Sequence, residues 1–202
     1  IHAEDNILSR NEQFQSLFKE GKLEEAYECL LEWQKETPED PELFLSLFIY
    51  YNNRNAKEFF LQPHESASGS SMVLSEHGEK TGTGNPTGKV IYRIDDVRTG
   101  LSYLEKGISR YPDRFDMHLE KIRALGRIRD LARQRQAILD VLSLSRKNKN
   151  CWKWTGGTEL DHPKDFMLES IQGFTAELIR LLRLDYARKI SEEMMRLYLD
   201  VA

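Results

Sequence analysis

Residues Glu12 to Pro38 read EQFQSLFKEGKLEEAYECLLEWQKETP, and the interpretation of the whole chain starts from this stretch. Its apolar residues recur at spacings of three and four, which is typical of an α-helix with one buried face. Gly21 separates two such stripes and can take the positive φ of a helix-ending turn. Pro38 ends the second stripe because it lacks the N–H that would continue the helix. The stripes consist of Phe14, Leu17 and Phe18, and then of Leu23, Ala26, Tyr27, Leu30 and Trp33.

A helix pair of this kind leaves one apolar face uncovered, so the pattern predicts further pairs stacked against it. The run Gly21-Lys22-Leu23-Glu24-Glu25-Ala26, followed by Leu30, Trp33 and Pro38, resembles a tetratricopeptide repeat (TPR). That motif has a period of 34 residues. The resemblance implies an all-α fold, namely a right-handed α-solenoid of helix-turn-helix repeats.

Further copies of the period follow along the chain. A second begins at Pro41, but its second helix comes only after about 40 inserted residues, ahead of Pro112. A third opens at Phe115, and a fourth fits residues Leu168 to Asp200, both by hydrophobic period alone. We therefore expect one domain over residues 1–202, built from about four TPR-like repeats.

The first insertion, at about residues 56–93, is rich in Gly, Ser and Thr. The β-prone runs SMVLS (71–75) and KVIYR (89–93) flank its centre, which favours a β-hairpin. An entirely disordered loop is the alternative. The segment GTGNPTGK is not a phosphate-binding loop, because Thr83 stands where glycine is required and Val90 follows the lysine.

The second insertion, at about residues 146–165, contains Trp152 and Trp154 on either side of Lys153. Alternation at period two predicts an extended segment with both indoles on one side. The indoles could contact a partner peptide, or stack on a base or a sugar. The alternative that we favour is that they fill a gap between repeats 3 and 4, each N–H finding a partner.

Composition restricts the classes of function. The 202 residues carry 33 acidic and 29 basic side chains, a net charge of −4, which argues against nucleic-acid binding. No run of about 18 apolar residues exists, so we expect no membrane span. Two cysteines do not make a disulfide framework, and a cytoplasmic location is expected. Because the sequence starts with Ile1, export after removal of a signal peptide is the alternative.

Reactive groups do not form a recognisable pattern in the sequence. The five histidines are scattered and lack the one-turn spacing of a zinc-binding helix, so no metal site is predicted. Cys29 falls on an apolar helix face and is expected to be an inert core residue. Asp95 and Asp96 open a helix, where negative charge complements the helix dipole. We therefore expect no enzyme, no catalytic residues and no cofactor.

The TPR resemblance implies a binding site, because the first helix of each repeat in this family lines a concave groove. The groove would hold a partner peptide. Amide side chains of the groove would hydrogen-bond the peptide backbone, and Arg side chains of the groove would bind the carboxylates of the peptide. Asn11, Ile49 and Asp116 replace the Lys or Asn residues of the variant that clamps acidic C-termini, which makes that ligand doubtful. The groove residues expected from the resemblance are Asn11, Gln15, Lys19, Asn52, Asn53, Arg123, Arg127, Gln172 and Arg180.

The resulting prediction is a non-enzymatic scaffold that binds a protein or peptide partner. One alternative is a small-ligand binder or an enzyme that uses the loop with Trp152 and Trp154. The other is a self-assembling module, since the final repeat ends in YLDVA without a polar cap and could form a homodimer.

Overall fold

The computed structural model describes residues 2–66, 69–75 and 88–199, and within them the side chains of residues 10–56 and 91–199. Most of the described chain is helical, which agrees with the predicted all-α class. Of the described helices, none has both the length and the apolar composition needed to cross a bilayer. The helices are α1 (His2–Lys19), α2 (Leu23–Glu36), α3 (Pro41–Asn53), α4 (Ile94–Arg110), α5 (Phe115–Arg127), α6 (Leu131–Lys147), α7 (Pro163–Arg180) and α8 (Leu184–Leu199).

The helices pack as successive pairs: α1 with α2, α3 with α4, α5 with α6, and α7 with α8. Neighbouring pairs meet where α3 contacts α1 and α2, where α4 contacts α5, and where α6 contacts α8. One apolar core lies within α1, α2 and α3, and a larger core extends from α3 to α8. Helix α3 contributes to both cores, so it connects the two ends of the molecule.

Local signals at Gly21 and at Asp40 end α1 and begin α3. Gly21 has φ +76° in the turn between α1 and α2, and the Lys22 N–H donates to the Leu17 carbonyl there. Asp40 caps α3, with its carboxylate accepting from the Glu42 N–H at 2.8 Å and from the Trp33 indole at 2.9 Å. Because Trp33 is buried in α2, this carboxylate joins the first helix pair to the second.

The first insertion forms a three-stranded antiparallel sheet with the strand order β2-β1-β3. The strands are β1 (Lys57–Ser66), β2 (Gly69–Ser75) and β3 (Gly88–Ile91). Strands β2 and β3 overlap the two β-prone runs of the sequence, whereas β1 was not predicted. Residues 76–87, which contain most of the glycine-rich centre, lie outside the described residues.

The two ends of this insertion are held together by Asp96, at the start of α4. Its carboxylate accepts hydrogen bonds from Arg54 Nη2 at 2.5 Å and from Asn55 Nδ2 at 2.6 Å. Burial opposes ionisation of Asp96, but these hydrogen bonds and the Arg54 charge outweigh it and lower its pKa. The carboxylate therefore stays ionised and keeps the end of α3 next to the start of α4.

Aromatic side chains reinforce the same junction. Tyr27 of α2 stacks on Tyr50 of α3 with ring centroids 5.1 Å apart, and Tyr51 stacks on Tyr103 of α4 at 5.7 Å. The Arg54 guanidinium lies 4.7 Å from the Tyr51 ring centroid, a cation–π distance. Burial raises the pKa of Tyr51, so this phenol stays neutral and can pack as an apolar ring.

Two glycines allow α4 to approach its neighbours closely. A Cβ atom on Gly100 would lie 3.2 Å from the Phe48 carbonyl oxygen of α3. On Gly107 it would lie 2.8 Å from Met117 Sδ and 3.0 Å from Phe44 Cβ. Larger residues at these positions would force α4 away from both α3 and α5.

Substituting Gly107 tests this close packing. We expect Gly107→Ala to lower the free energy of unfolding by about 1–2 kcal/mol, because overpacking outweighs the helix-propensity gain. Gly173→Ala in α7 is the matched control, since no atom lies within 4 Å of its added Cβ. It should raise the free energy of unfolding by about 0.5–1 kcal/mol. Urea unfolding followed by circular dichroism measures both, and equal effects would contradict the close approach.

Candidate functional site

The residues expected to line one groove lie on four helices, and the structure does not bring all of them together. Gln15 and Lys19 are exposed on α1, and Asn11 beside them is partly exposed. Asn52 is 3% exposed, and its Nδ2 donates to Asn53 Oδ1 at 2.9 Å. Because α3 is buried on most sides, the side-chain amides of Asn52 and Asn53 are less accessible to a partner than the α1 residues are. The structure does not bring these two groups into one open surface.

Arg123 and Arg127, one helical turn apart on α5, do lie together in a groove between α5 and α7. This α5–α7 groove has a volume of about 680 Å³. Its lining residues come from three parts of the chain: the approach to α4, which we call one wall, α5 with the turn after it, and α7, which we call the other wall. It is lined by Ile91, Tyr92, Ile94, Arg123, Gly126, Arg127, Ile128, Arg129, Phe174 and Glu177.

The three arginines of the groove differ in their partners. Arg123 donates to Glu120 at 2.6 Å, and Arg129 lies 3.8 Å from Glu177. The Arg127 guanidinium carbon lies 5.2 Å from the Tyr92 ring centroid, and within the described residues no carboxylate pairs with it. Arg127 is therefore a cation held over an aromatic ring with its donors available.

Apolar surface lies next to this cation. Ile91 is 45% exposed and Ile94 is 48% exposed at one wall, while Phe174 is half-buried at the other. A groove that combines donor groups with exposed apolar side chains can hold an extended chain carrying a carboxylate next to an apolar residue. The α5–α7 groove presents guanidinium groups and one carboxylate, which is paired with Arg129. These groups can bind a ligand, and they are not suited to transferring a proton.

Gln172 and Arg180 of α7 do not line the α5–α7 groove. Gln172 belongs to a second cavity, of about 480 Å³, between α7 and the C-terminal part of α8. Arg180 is exposed in the last turn of α7. The predicted contribution of repeat 4 to the groove comes instead from Phe174 and Glu177.

The two tryptophans of the second insertion have different environments. Trp152 is 2% exposed, and its indole N–H donates to Ser145 Oγ at 3.1 Å. Trp154 is half-buried, with its ring 5.5 Å from that of Phe166. The ring centroids of Trp152 and Trp154 lie 5.3 and 6.4 Å from the ring centroid of Phe115 in α5. Both indoles therefore lie on the same side of their segment. Trp152 thus packs against α5 and α6, and Trp154 packs against α5 and α7. The N–H partner that we expected for each indole is seen for Trp152.

A buried ionic cluster gathers acids from distant segments around Arg114, which precedes α5. Arg114 Nη1 lies 2.7 Å from Glu42 Oε1 of α3, and Nη2 lies 2.7 Å from Asp116 Oδ2. The Gly156 N–H donates to the same Glu42 oxygen at 2.8 Å, and Thr155 Oγ1 donates to Asp116 at 3.0 Å. We call these five residues the Arg114 cluster.

The three charged residues of the Arg114 cluster are buried, whereas Thr155 and Gly156 are exposed. Arg114 is 2% exposed, Asp116 3% and Glu42 7%. Both oxygens of Asp116 accept two hydrogen bonds each, from Arg114 and from either Thr155 or the Met117 N–H. A carboxylate that is saturated in this way cannot bind a substrate or accept its proton. The cluster joins α3, α5 and the second insertion, and we assign it a structural role.

The remaining reactive groups are separated from one another. Cys29 is buried, and burial raises the pKa of its thiol, which keeps it in the inert form. Cys151 is exposed, on a different part of the chain. Where side chains are described, no three His, Cys, Asp or Glu groups lie together in an arrangement that could hold a metal ion. His64 and His77 are outside the described side chains.

The molecule can be compared with known proteins once this geometry is established. No family model, no curated protein and no solved structure matches the chain. The resemblance to tetratricopeptide repeats therefore stays a prediction that rests on the residues quoted from the sequence.

Sequence reasoning identified part of the groove and missed the rest. Arg123 and Arg127 share a helix face at a spacing of four, which a sequence shows directly. Tyr92 and Ile128 were missed, because no local pattern shows that the approach to α4 reaches the end of α5. For the Arg114 cluster, the only local signal was an arginine two residues before an aspartate at a helix start.

Removing Arg114 should have a large effect on stability. Arg114→Met leaves the Glu42 and Asp116 carboxylates buried without their cation, which should lower the free energy of unfolding by about 3–5 kcal/mol. Arg110→Met is the matched control, because Arg110 pairs with Glu39 with both side chains more than half exposed. We expect this surface pair to contribute about 0–1 kcal/mol. Urea denaturation of both variants measures the difference, and similar losses would refute the structural role.

His118 predicts a pH dependence of stability. Burial lowers its pKa below the usual 6.5, and Lys121 acts in the same direction while Asp116 and Asp140 oppose it. Because the pKa of His118 is lower in the folded chain than in the unfolded chain, protonation of His118 favours the unfolded chain. The contribution of neutral His118 to the free energy of unfolding is therefore complete above pH 6.5, and it is lost as the pH falls through and below that value. The ring is therefore neutral near pH 7, and its Nε2–H donates to the Pro112 carbonyl at 3.0 Å.

His118→Gln tests this linkage, since the amide can still donate to Pro112 but does not titrate. The free energy of unfolding, measured by urea titration at about pH 7.5 and about pH 5.5, should decrease less in the variant than in the natural chain. Equal decreases in the two proteins would contradict the assignment to His118.

Proposed function

We propose that the protein is a non-enzymatic interaction scaffold that binds a peptide segment of a partner protein in the α5–α7 groove. The observation that carries the proposal is Arg127, a cation without a carboxylate partner among the described residues, held over Tyr92 at the edge of exposed apolar surface. A ligand carboxylate would complete the hydrogen bonding of this guanidinium. A ligand side chain would cover Ile91 and Ile94.

The expected ligand is an extended peptide with an acidic residue next to an apolar one. Its carboxylate would bind Arg127 bidentately, in the fork geometry that guanidinium groups favour. Its apolar side chain would pack between Ile94 and Phe174, which stand on opposite walls. Because Glu177 lies beside Arg129 in the same groove, a carboxylate is expected at the Arg127 end rather than there.

We further propose that the domain is a TPR-like right-handed α-solenoid of about four repeats. The support is the packing of successive helices as pairs and the φ of +76° at Gly21. Three features depart from a regular repeat array: the sheet between α3 and α4, the buried face of α3, and the packing of α6 on α8. These departures confine the open groove to the second half of the chain.

The alternative of a ligand binder or enzyme built on the tryptophan loop receives less support. A stacking platform requires accessible ring faces, and Trp152 is 2% exposed. Of the acids near this loop, Asp116 accepts hydrogen bonds from Arg114, Thr155 and the Met117 N–H, and Asp113 pairs with Lys153 at 2.7 Å. We therefore propose that the protein binds its partner and does not catalyse a reaction.

Peptide selection tests the proposal directly. We would select a random peptide-display library on the immobilised chain and measure the affinity of enriched peptides by fluorescence anisotropy. We expect enriched peptides to carry Asp or Glu next to apolar residues. Arg127→Glu should weaken their binding by roughly tenfold or more, because it replaces an attraction with a like-charge repulsion.

The control for this measurement is Lys35→Glu, which makes the same change of charge at an exposed position on α2. It should change the affinity by less than roughly twofold, as expected for an exposed charge outside the binding site. If the library yields no enriched peptide, or if Arg127→Glu and Lys35→Glu have the same effect, the groove is not the binding site.

A further inference from the structure

The outer face of α7 and α8 carries apolar side chains that no other described element covers. At one end, Met195 is 64% exposed, Tyr198 67% and Leu199 72%. At the other end, Ile179 is 49% exposed and Leu184 59%. The 480 Å³ cavity between α7 and α8 opens at the first of these ends. Clustered exposure of large apolar groups marks a contact surface.

The middle of this outer face contains both small and long side chains. Gly173 of α7 has no atom within 4 Å of the position that a Cβ would occupy, and Ala176 and Ser191 are small and exposed. Arg188 of α8 is a long side chain that is 83% exposed, with its Nε 3.4 Å from Glu192. Two occupants have suitable shapes: an amphipathic helix of another protein, or a second face of the same kind turned end to end.

The charges on this outer face favour the second of these shapes. Asp165 and Glu169 line the cavity at one end of α7, and Arg180 is exposed at the other end. Among the described residues, none of the three has an ion-pair partner. All three fall on one side of α7 by helical spacing. Glu169 and Arg180 are eleven residues apart, or about 16 Å along the helix, so they cannot pair within one chain.

We propose that the outer face of α7 and α8 binds a second copy of this chain in an antiparallel arrangement. A two-fold axis near Gly173 places Asp165 and Glu169 of each copy opposite Arg180 of the other. It also places Met195 and Tyr198 of one copy over Ile179 and Leu184 of the other. An isologous contact requires such self-complementarity, in which each residue meets its counterpart reciprocally. The four helices then form a bundle with the apolar residues inside.

The size of the face sets the expected affinity. From Asp165 to Arg180 it is about 23 Å long, and two adjacent helices are about 20 Å wide. The projected area of roughly 450 Å² per copy falls below the roughly 800 Å² per partner of a standard interface. A contact of this size belongs to the weak or transient class of interfaces, so the dimer is expected to form only at high protein concentration.

Charge reversal with rescue tests the arrangement, using sedimentation velocity on the full 202-residue chain from low-micromolar to several hundred micromolar concentration. Glu169→Arg alone and Arg180→Glu alone should each raise the dimer Kd by roughly tenfold, because like charges then face each other. The double variant restores the attraction between positions 169 and 180 but leaves Asp165 opposite a carboxylate, so its Kd should fall between those of the single variants and that of the natural chain. Met195→Glu should abolish the dimer, and Lys35→Glu on α2 should leave it unchanged.

Each outcome decides the proposal. A chain that stays monomeric at every concentration overturns it and leaves the face to an amphipathic helix of another protein. A dimer that survives Met195→Glu uses a different surface. Single variants that weaken the dimer without rescue in the double variant exclude the antiparallel pairing. Because all four substituted positions are exposed, circular dichroism should show unchanged helix content, which separates lost association from lost folding.

Discussion

The paired charges around Arg114 hold together segments that have little other reason to stay aligned. The guanidinium contacts a carboxylate from α3 and another from α5, and the loop containing Thr155 and Gly156 completes both. Burying such a cluster contributes little net stability compared with apolar residues of the same volume, because desolvation of the charges offsets their attraction. Its value lies in geometry: the ion pairs and hydrogen bonds of the cluster require these three segments to lie next to one another.

That fixed placement also determines where binding can occur. With the second insertion held against α5 by the Lys153 and Phe115 backbone hydrogen bonds, Trp152 and Phe115 pack as core. Further along α5, Arg123 and Arg127 line the groove from successive turns. Asp116, Arg123 and Arg127 follow one another at spacings of seven and four residues, so they share one side of the helix. The interior ionic cluster holds the first turn of α5, and the exposed cationic groove lies along its later turns.

The parts of this structure that a sequence can reveal are the local ones. Gly21, Pro41 and Pro163 act through the backbone within a turn, so the ends of α1, α3 and α7 follow from residue type. Strand β1 was not visible in this way, because its pairing partners are supplied by segments up to about thirty residues away. The same holds for the groove: the spacing of Arg123 and Arg127 is local, whereas burial of Asn52 and the approach of Tyr92 depend on tertiary packing.

The hydrogen bonds from Arg54 and Asn55 to Asp96 make the sheet an addition to the helical domain rather than a part of its framework. Since α3 and α4 are already held side by side at the base, the chain between them closes a loop whose ends are fixed independently of its length. Each doubling of such a loop costs only about 0.6 kcal/mol in closure entropy. This position should accordingly accept an altered segment without disturbing the helices on either side, as long as β3 is kept, because its Ile91 lines the α5–α7 groove.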